Sequence, residues 1–312
     1  MSRKKREIDW SEPYFRDMLV YQRRYLWHED TLDKLAEWIG LESGMTLADI
    51  GCGLGYLGYS YWPYFGRGGR YIGVDRSPKL LHDSARAAHD WASDGVTRFV
   101  TGSAYDIPLD DGLADVVMCQ TLMIHLREPE RALAEMIRIT KPGGTVVCKE
   151  GDNLRAELNR AESSLPRFSK EDEAFLRYIN LTAYRGRLKL GLGDWGAGTK
   201  IPRMMNRLGL VNLDVRVNDR VFFLHPPYDT PRQKHYLDIV KKHLVNEKEV
   251  ATRQKEQREH FLAGGGTPEE YDRAIEKTEE YLKEFRRQVE AGEFYVVGGA
   301  FFYVTKGTKS YS

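Results

Sequence analysis

The ten residues Asp49-Ile50-Gly51-Cys52-Gly53-Leu54-Gly55-Tyr56-Leu57-Gly58 constrain the fold of this chain more than any other stretch. They complete the short apolar run Thr46–Ile50 and lead into a helical pattern from about Gly55. A strand that turns on glycines straight into a helix opens a βα crossover unit. Glycine is needed there because it accepts positive φ and lets backbone approach a ligand closely.

The alternation continues downstream. Arg70–Val74 reads as a second strand, and Ser77-Pro78 starts a helix, with Ser as N-cap and Pro at the first helical position, running to about Ala92. Thr97–Val100 and Ala114–Cys119 read as the third and fourth strands. Pro129–Thr140 is a helix with Ala132, Leu133, Met136 and Ile137 on one face. Lys141-Pro142-Gly143-Gly144 stops it, and Thr145–Lys149 is the fifth strand. Strands alternating with helices of this length mean a parallel sheet.

After Glu150 the rhythm breaks, with a helix expected around Glu171–Tyr184. Pro202–Leu208 (helix) and Val211–Val217 (strand) restore it. A long charged stretch follows. Its second half carries Tyr271, Ile275, Thr278, Leu282, Phe285 and Val289 at steps of three and four, after a break at Gly264-Gly265-Gly266. This predicts a helical hairpin. Phe294–Thr305 reads as one closing strand, and Trp10 to about Ile39 as one leading helix. The expected fold is α/β: a Rossmann-like, doubly wound, seven-stranded, mostly parallel sheet with helical inserts forming a lid. The expected divisions are an N-terminal helical segment (1–45), a core (46–150), a substrate-side insert (151–198), a return to the sheet (199–228), the hairpin insert (229–292), and a final strand with tail (293–312).

Composition narrows the function classes. With 47 basic and 46 acidic side chains among 312 residues, nothing asks for a polyanionic partner, so nucleic acid is not expected. The run Arg3-Lys4-Lys5-Arg6 reads as a solvated tail. Cys52, Cys119 and Cys148 lie far apart in sequence, in or beside apolar segments. They suit buried free thiols in a reducing compartment and give no zinc spacing, so no metal is expected. No apolar signal core opens the chain and no run of about 18 apolar residues occurs, so a soluble, cytoplasmic protein without a membrane partner is expected.

Two glycine patterns overlap in the loop. Gly53-x-Gly55-x-x-Gly58 fits a dinucleotide fingerprint, whereas Asp49-x-Gly51-x-Gly53-x-Gly55 sets a carboxylate ahead of the glycines, which suits a ligand bearing an ammonium group. A pyrophosphate favours N–H groups at a helix N-terminus, and a carboxylate beside it repels. Asp49 therefore suits S-adenosylmethionine better than NAD. Asp75, closing the second strand, stands where an acid accepts from both ribose hydroxyls of either cofactor.

Residues 46–150 resemble the class I S-adenosylmethionine-dependent methyltransferases, in the broad group of the menaquinone and ubiquinone C-methyltransferases. Leu47–Gly58, Tyr71–Leu81, Phe99–Asp115, Val116–Glu130 and Arg131–Glu150 carry the resemblance, and Ala132-x-x-Glu135-Met136 followed by Lys141-Pro142-Gly143-Gly144 is typical. The resemblance implies S-adenosylmethionine as cofactor and S-adenosylhomocysteine as its product. It implies Gly51, Gly53 and Gly55 against the methionine and ribose portions, Asp75 on the ribose and Arg76 beside the adenine. Ser103 and Ala104 stand where the family often has Asp-Ala at the adenine amino group, so one contact is altered. Gln120 would offer its carbonyl to the ammonium.

For the acceptor side the sequence offers His125 as a base or as packing, and Tyr25, with Tyr14 and Tyr21, as residues closing over the site or packing. Trp195 and Tyr184 are read as walls for an apolar or cationic substrate, or as insert core. His225-Pro226-Pro227-Tyr228 looks like the Asn-Pro-Pro-Tyr motif of amino-group methyltransferases. It follows the sixth strand instead of the fourth and reads as a rigid turn. The expected function is in-line methyl transfer to a small molecule in a lidded pocket. The alternatives are a protein, peptide or RNA acceptor, an NAD-dependent protein, or a non-catalytic nucleotide-binding protein. The hairpin is either a lid or a homodimer contact.

Overall fold

The computed structural model describes every residue except 1–9, 11, 26, 93–94, 155–160, 299–300 and 312; for 22–25 it describes backbone alone. The basic run at Arg3–Arg6 lies outside the described residues.

Seven strands form the main sheet: β1 (Thr46–Ile50), β2 (Arg70–Asp75), β3 (Val96–Thr101), β4 (Ala114–Gln120), β5 (Thr140–Gly151), β7 (Val211–Val217) and β10 (Phe302–Thr308). Their spatial order is β3-β2-β1-β4-β5-β10-β7. The first five pair in parallel, and β10 runs antiparallel between β5 and β7. The order reverses at β1 and β4, the switch point outside which open α/β sheets bind ligands.

β1 is buried along its whole length, as expected of a parallel strand covered on both faces. On one face Ala48, Ile50, Val117 and Val146 pack with Leu133 and Met136 of α5 (Pro129–Ile139). On the other, Leu47, Val116 and Val147 pack with Tyr61 and Phe65 of α3 (Tyr56–Phe65). Each such side chain contributes about 1.5–3 kcal/mol on burial. Between Ala114 and Val116 the β4–β5 register jumps from Thr140 to Thr145, so the Pro-Gly-Gly turn is a bulge within β5 rather than a loop before it.

The single leading helix of the sequence reading is two helices, α1 (Pro13–Tyr25) and α2 (Glu29–Ile39). Trp27 leaves the helical path to pack, 5% exposed, in the core with Leu47 and Tyr61. His28 is extended, and its N–H donates to Asp219. The closing strand is likewise two. Val296–Gly298 (β9) joins β6 (Glu162–Ser163) and β8 (Phe222–Leu224) in a small separate sheet before β10 enters the main one.

The additions after β5 are mainly helical: α6 (Lys170–Lys189), α7 (Ile201–Arg207), α8 (Pro231–Ile239) continuing into a π-helical turn (Val240–Leu244), α9 (Glu247–Gly264) and α10 (Pro268–Ala291). A Thr267/Glu270 capping box starts α10. α9 lies mainly along α6, more than on its sequence neighbour α10. Glycine allows this close approach. A Cβ on Gly186 would sit 1.7 Å from the His260 carbonyl oxygen, and one on Gly264 would sit 2.0 Å from that of Thr182.

Candidate active site

The loop after β1 is built for close approach. Gly51, Gly53 and Gly55 have φ of 71°, 53° and 74°, which L side chains rarely adopt. The N–H groups of Gly51 and Cys52 donate to the Val74 carbonyl, tying the loop to β2. A Cβ on Gly55 would lie 2.7 Å from Ser84 Oγ of α4 (Pro78–Ala88), whereas one on Gly53 would meet nothing within 4 Å. Gly53 therefore borders open space.

Asp75 ends β2 beside that space. Its Oδ2 accepts the Gly53 N–H at 2.9 Å and its Oδ1 accepts the Ser77 N–H at 2.8 Å. A carboxylate has about four acceptor sites, so two remain for vicinal hydroxyls. The Gly102 N–H donates to the Asp75 carbonyl, which sets Ser103 and Ala104 next to it. Ser103 is exposed, with its Oγ accepting the Tyr105 N–H; Ala104 is half-buried against the core; Arg76 is exposed.

Asp49 and Gln120 end the neighbouring strands β1 and β4, 1% and 3% exposed. Asp49 Oδ2 accepts from the Tyr71 hydroxyl at 2.8 Å, so one of its oxygens serves the core. Burial, with Asp49 beside it, raises the Tyr71 hydroxyl well above its usual pKa and keeps it a donor.

Past Gln120, Thr121 has φ of 52°, an outlier for a β-branched residue of the kind that clusters at functional sites. A short helical turn (Met123–His125) follows. Glu150, fully buried, holds it: Oε1 accepts the N–H groups of Leu122 (2.9 Å) and Met123 (3.0 Å), and Oε2 that of Ile124 (3.3 Å). Desolvation nevertheless outweighs these donors and pushes the Glu150 carboxyl up to about 7. Lys149 is also buried, donating to the Tyr61 hydroxyl over the rings of Trp27 and Tyr61 at 4.3 and 4.5 Å. Sequence reading missed both; the available signal was two charged residues ending an apolar strand.

His125 is half-buried, its ring 4.5 Å from Trp10 in an edge-on contact. Gly193 abuts the same turn, since a Cβ there would lie 2.2 Å from the Ile124 carbonyl oxygen. The side chain of Tyr25 lies outside the described residues. Tyr21 packs: it is 1% exposed and stacks on Phe222 at 5.6 Å. Tyr14 meets His243 edge-on at 5.3 Å, with Arg253 over its ring. The ion pair Arg16–Asp83 (2.6 Å) and the Asp17–His243 contact (3.1 Å) tie α1 to α4 and to the π-helical turn. Tyr184 donates to Asp194 at 2.6 Å, and Arg187 covers Trp195. Tyr228 of the Pro-Pro turn is buried with Leu224 and Val289, donating to the Phe294 carbonyl, so it packs in a side cluster. His28, Asp30 and Asp219 bring ligand atoms together at the surface, but Arg220 bonds the His28 ring nitrogens.

Residues 48–148 match the family model described as "Methyltransferase domain". An uncharacterized methyltransferase of Schizosaccharomyces pombe is 36% identical over 115 residues, 35% of this chain and 41% of that protein. The demethylmenaquinone methyltransferase of Oceanobacillus iheyensis is 29% identical over 133 residues, 43% of this chain and 54% of that protein. The chain thus spans about half or less of these curated relatives. A SAM-dependent methyltransferase from Aquifex aeolicus aligns in structure with a TM-score of 0.44 and 18% identity, over 68% of this chain and 92% of that one.

Proposed function

We infer that this chain, whose residues 48–148 form a methyltransferase domain of the class I, S-adenosylmethionine-dependent kind, transfers the cofactor's methyl group to a small molecule in a lidded pocket above the ends of β4 and β5. The observation that carries the reading is Asp75, fixed by the Gly53 and Ser77 N–H groups beside a positive-φ glycine that borders open space. Those residues fit a ribose held against glycine backbone.

Gly51, Gly53 and Gly55 would lie along the cofactor, Asp75 would hold both ribose hydroxyls, and Arg76, Ser103 and Ala104 would border the adenine. Asp49 and Gln120 would face the ammonium. When bound, the cofactor supplies an activated methyl on sulfur, so the chain's task is to position the acceptor in line with it. Thr121–His125, fixed from below by Glu150, is the rigid ledge for that positioning. His125 is placed to accept a proton from an acceptor that must lose one. α1 is the lid that excludes water. A small acceptor is favoured over a macromolecule because α1 is tied to α4 and the π-helical turn, Trp10 packs against His125, and the even charge balance offers no polyanion surface.

The test is calorimetric titration with S-adenosylhomocysteine, with NAD as comparator. Binding of the former alone is expected, and Asp75→Ala should weaken it about a hundredfold or more, at about 1.5–3 kcal/mol for each of two hydrogen bonds to a charged group. Binding of NAD alone, or an unaltered affinity in the variant, overturns the reading.

A further inference from the structure

The last turn of α6, just before the loop that rests on the ledge, carries a buried cation with unmet hydrogen-bonding capacity. Arg187, near the end of α6, is 4% exposed. Its Nε and Nη2 are screened from solvent and have no acceptor among the described residues. Its guanidinium lies over the Trp195 ring, 5.0 Å from the centroid. Burial lowers its pKa to about 10, with the exposed Glu256 of α9 opposing at longer range, so it stays charged at neutral pH. His260 of α9 adds a second basic group there, its own pKa lowered by burial and by Arg187.

Placement ties this group to the site. The loop from Arg187 to Trp195 rests on the ledge at Gly193, and the Trp195 carbonyl accepts the Asn153 N–H just beyond β5. Residues Leu188 to Asp194, which separate Arg187 from Trp195 in the chain, line one wall of a neighbouring cleft of about 370 Å³, with Leu126, Arg127 and Pro129 on the other. Burying an unpaired guanidinium is costly, and two N–H donors without acceptors add to the cost. The planar guanidinium fork matches the oxygens of a carboxylate or phosphate. The Trp195 face, read from sequence as a wall for an apolar or cationic substrate, already carries a cation.

We propose that Arg187 is an anion-recognition residue and that the methyl acceptor is a small organic anion, a carboxylate or phosphate ester, whose charged group pairs with Arg187 beside Trp195. The acceptor part of this assignment rests on the methyl-transfer reading. The anion site itself does not.

The probes are benzoate and phenyl phosphate, titrated calorimetrically into the full chain with and without saturating S-adenosylhomocysteine. At least one should bind, and which one separates carboxylate from phosphate. Arg187→Met should weaken that binding at least tenfold while leaving S-adenosylhomocysteine affinity unchanged, and Arg187→Lys should fall between. Because Arg187→Met removes an unpaired buried charge, the ligand-free variant should unfold at the same temperature or higher. Arg258→Met, which removes a half-buried arginine of α9 near Asp272, is the charge control and should change neither affinity. Failure of both anions to bind, equal binding by Arg187→Met, or a lowered unfolding temperature with anion binding intact overturns the proposal and leaves Arg187 as packing. If an anion binds through Arg187 but S-adenosylhomocysteine does not, the site stands and the methyl-transfer reading fails.

Discussion

At the scale of single residues, the glycine loop after β1 is set by what an added methyl group would strike. Gly55 combines φ of 74° with a virtual Cβ 2.7 Å from Ser84 Oγ, and that hydroxyl donates to the Gly53 carbonyl. Gly55→Ala therefore forces a strained backbone and breaks the bond that shapes the loop. Strain of this kind costs about 1–3 kcal/mol. Denaturant unfolding should record that loss, and S-adenosylhomocysteine affinity should fall with it; unchanged values in both would show that the loop shape does not depend on Gly55. The glycine loop and the place of Asp75 at the end of β2 were legible because the constraint is local: glycine suits those φ values best, and the strand pattern ends at the acid. Glu150 was not legible, because its three donors come from a segment some 26 to 28 residues away.

At the scale of elements, Glu150 supports the ledge that follows β4. Its folded pKa of about 7 lies above the ordinary 4.5. The folded state therefore binds this proton more tightly than the unfolded state, and stability falls as pH rises from about 4.5 to about 7 before levelling off. At 1.36 kcal/mol per pKa unit, this fully buried group contributes a fall of about 3 kcal/mol. Glu150→Gln cannot ionise, so its denaturation midpoint, compared with the parent at pH 5, 6, 7 and 8, should lack that component of the slope; parallel curves would show that Glu150 does not titrate there. The contact between α6 and α9 is a second element-scale case. A methyl group at Gly186 would overlap the His260 carbonyl, so Gly186→Ala must push the helices apart and should cost roughly 1–3 kcal/mol or more in thermal or denaturant unfolding. A cost within about 0.5 kcal/mol would mean that the two helices slide freely. The hydrophobic periodicity that revealed α10 could not reveal how closely this pair approaches, because the closest contacts are made by glycines, which have no side chain to place on a face. The split of the leading helix was hidden for the opposite reason: Trp27 looks like one more aromatic residue in a helical stripe, yet it leaves the helix to fill the core beside Leu47.

At the scale of the whole molecule, the central strands β1 and β4 are deeply buried, whereas α1 is tied to the rest of the fold unevenly. Tyr21 anchors the latter half of α1, stacked on Phe222 and near Tyr236. The earlier half is tied by Arg16–Asp83, whose side chains are 40% and 24% exposed, and by Asp17–His243. Exposed ion pairs contribute about 0–1 kcal/mol, while truncating a buried aromatic costs about 3–5 kcal/mol. The anchor should therefore govern folding, and the ion pair should govern opening. Arg16→Ala is expected to speed release of S-adenosylhomocysteine about two- to fivefold in stopped-flow displacement, in line with a loss of up to about 1 kcal/mol, with the unfolding midpoint nearly unchanged. Tyr21→Ala is expected to lower the midpoint sharply. The backbone amides of α1 should also exchange more slowly with solvent once S-adenosylhomocysteine is bound, since a lid drawn from the less stable part of a fold gains protection on closing. Equal release rates and unchanged exchange would make α1 a fixed part of the wall, and acceptor entry would then pass through the cleft between Arg127 and Lys189 instead.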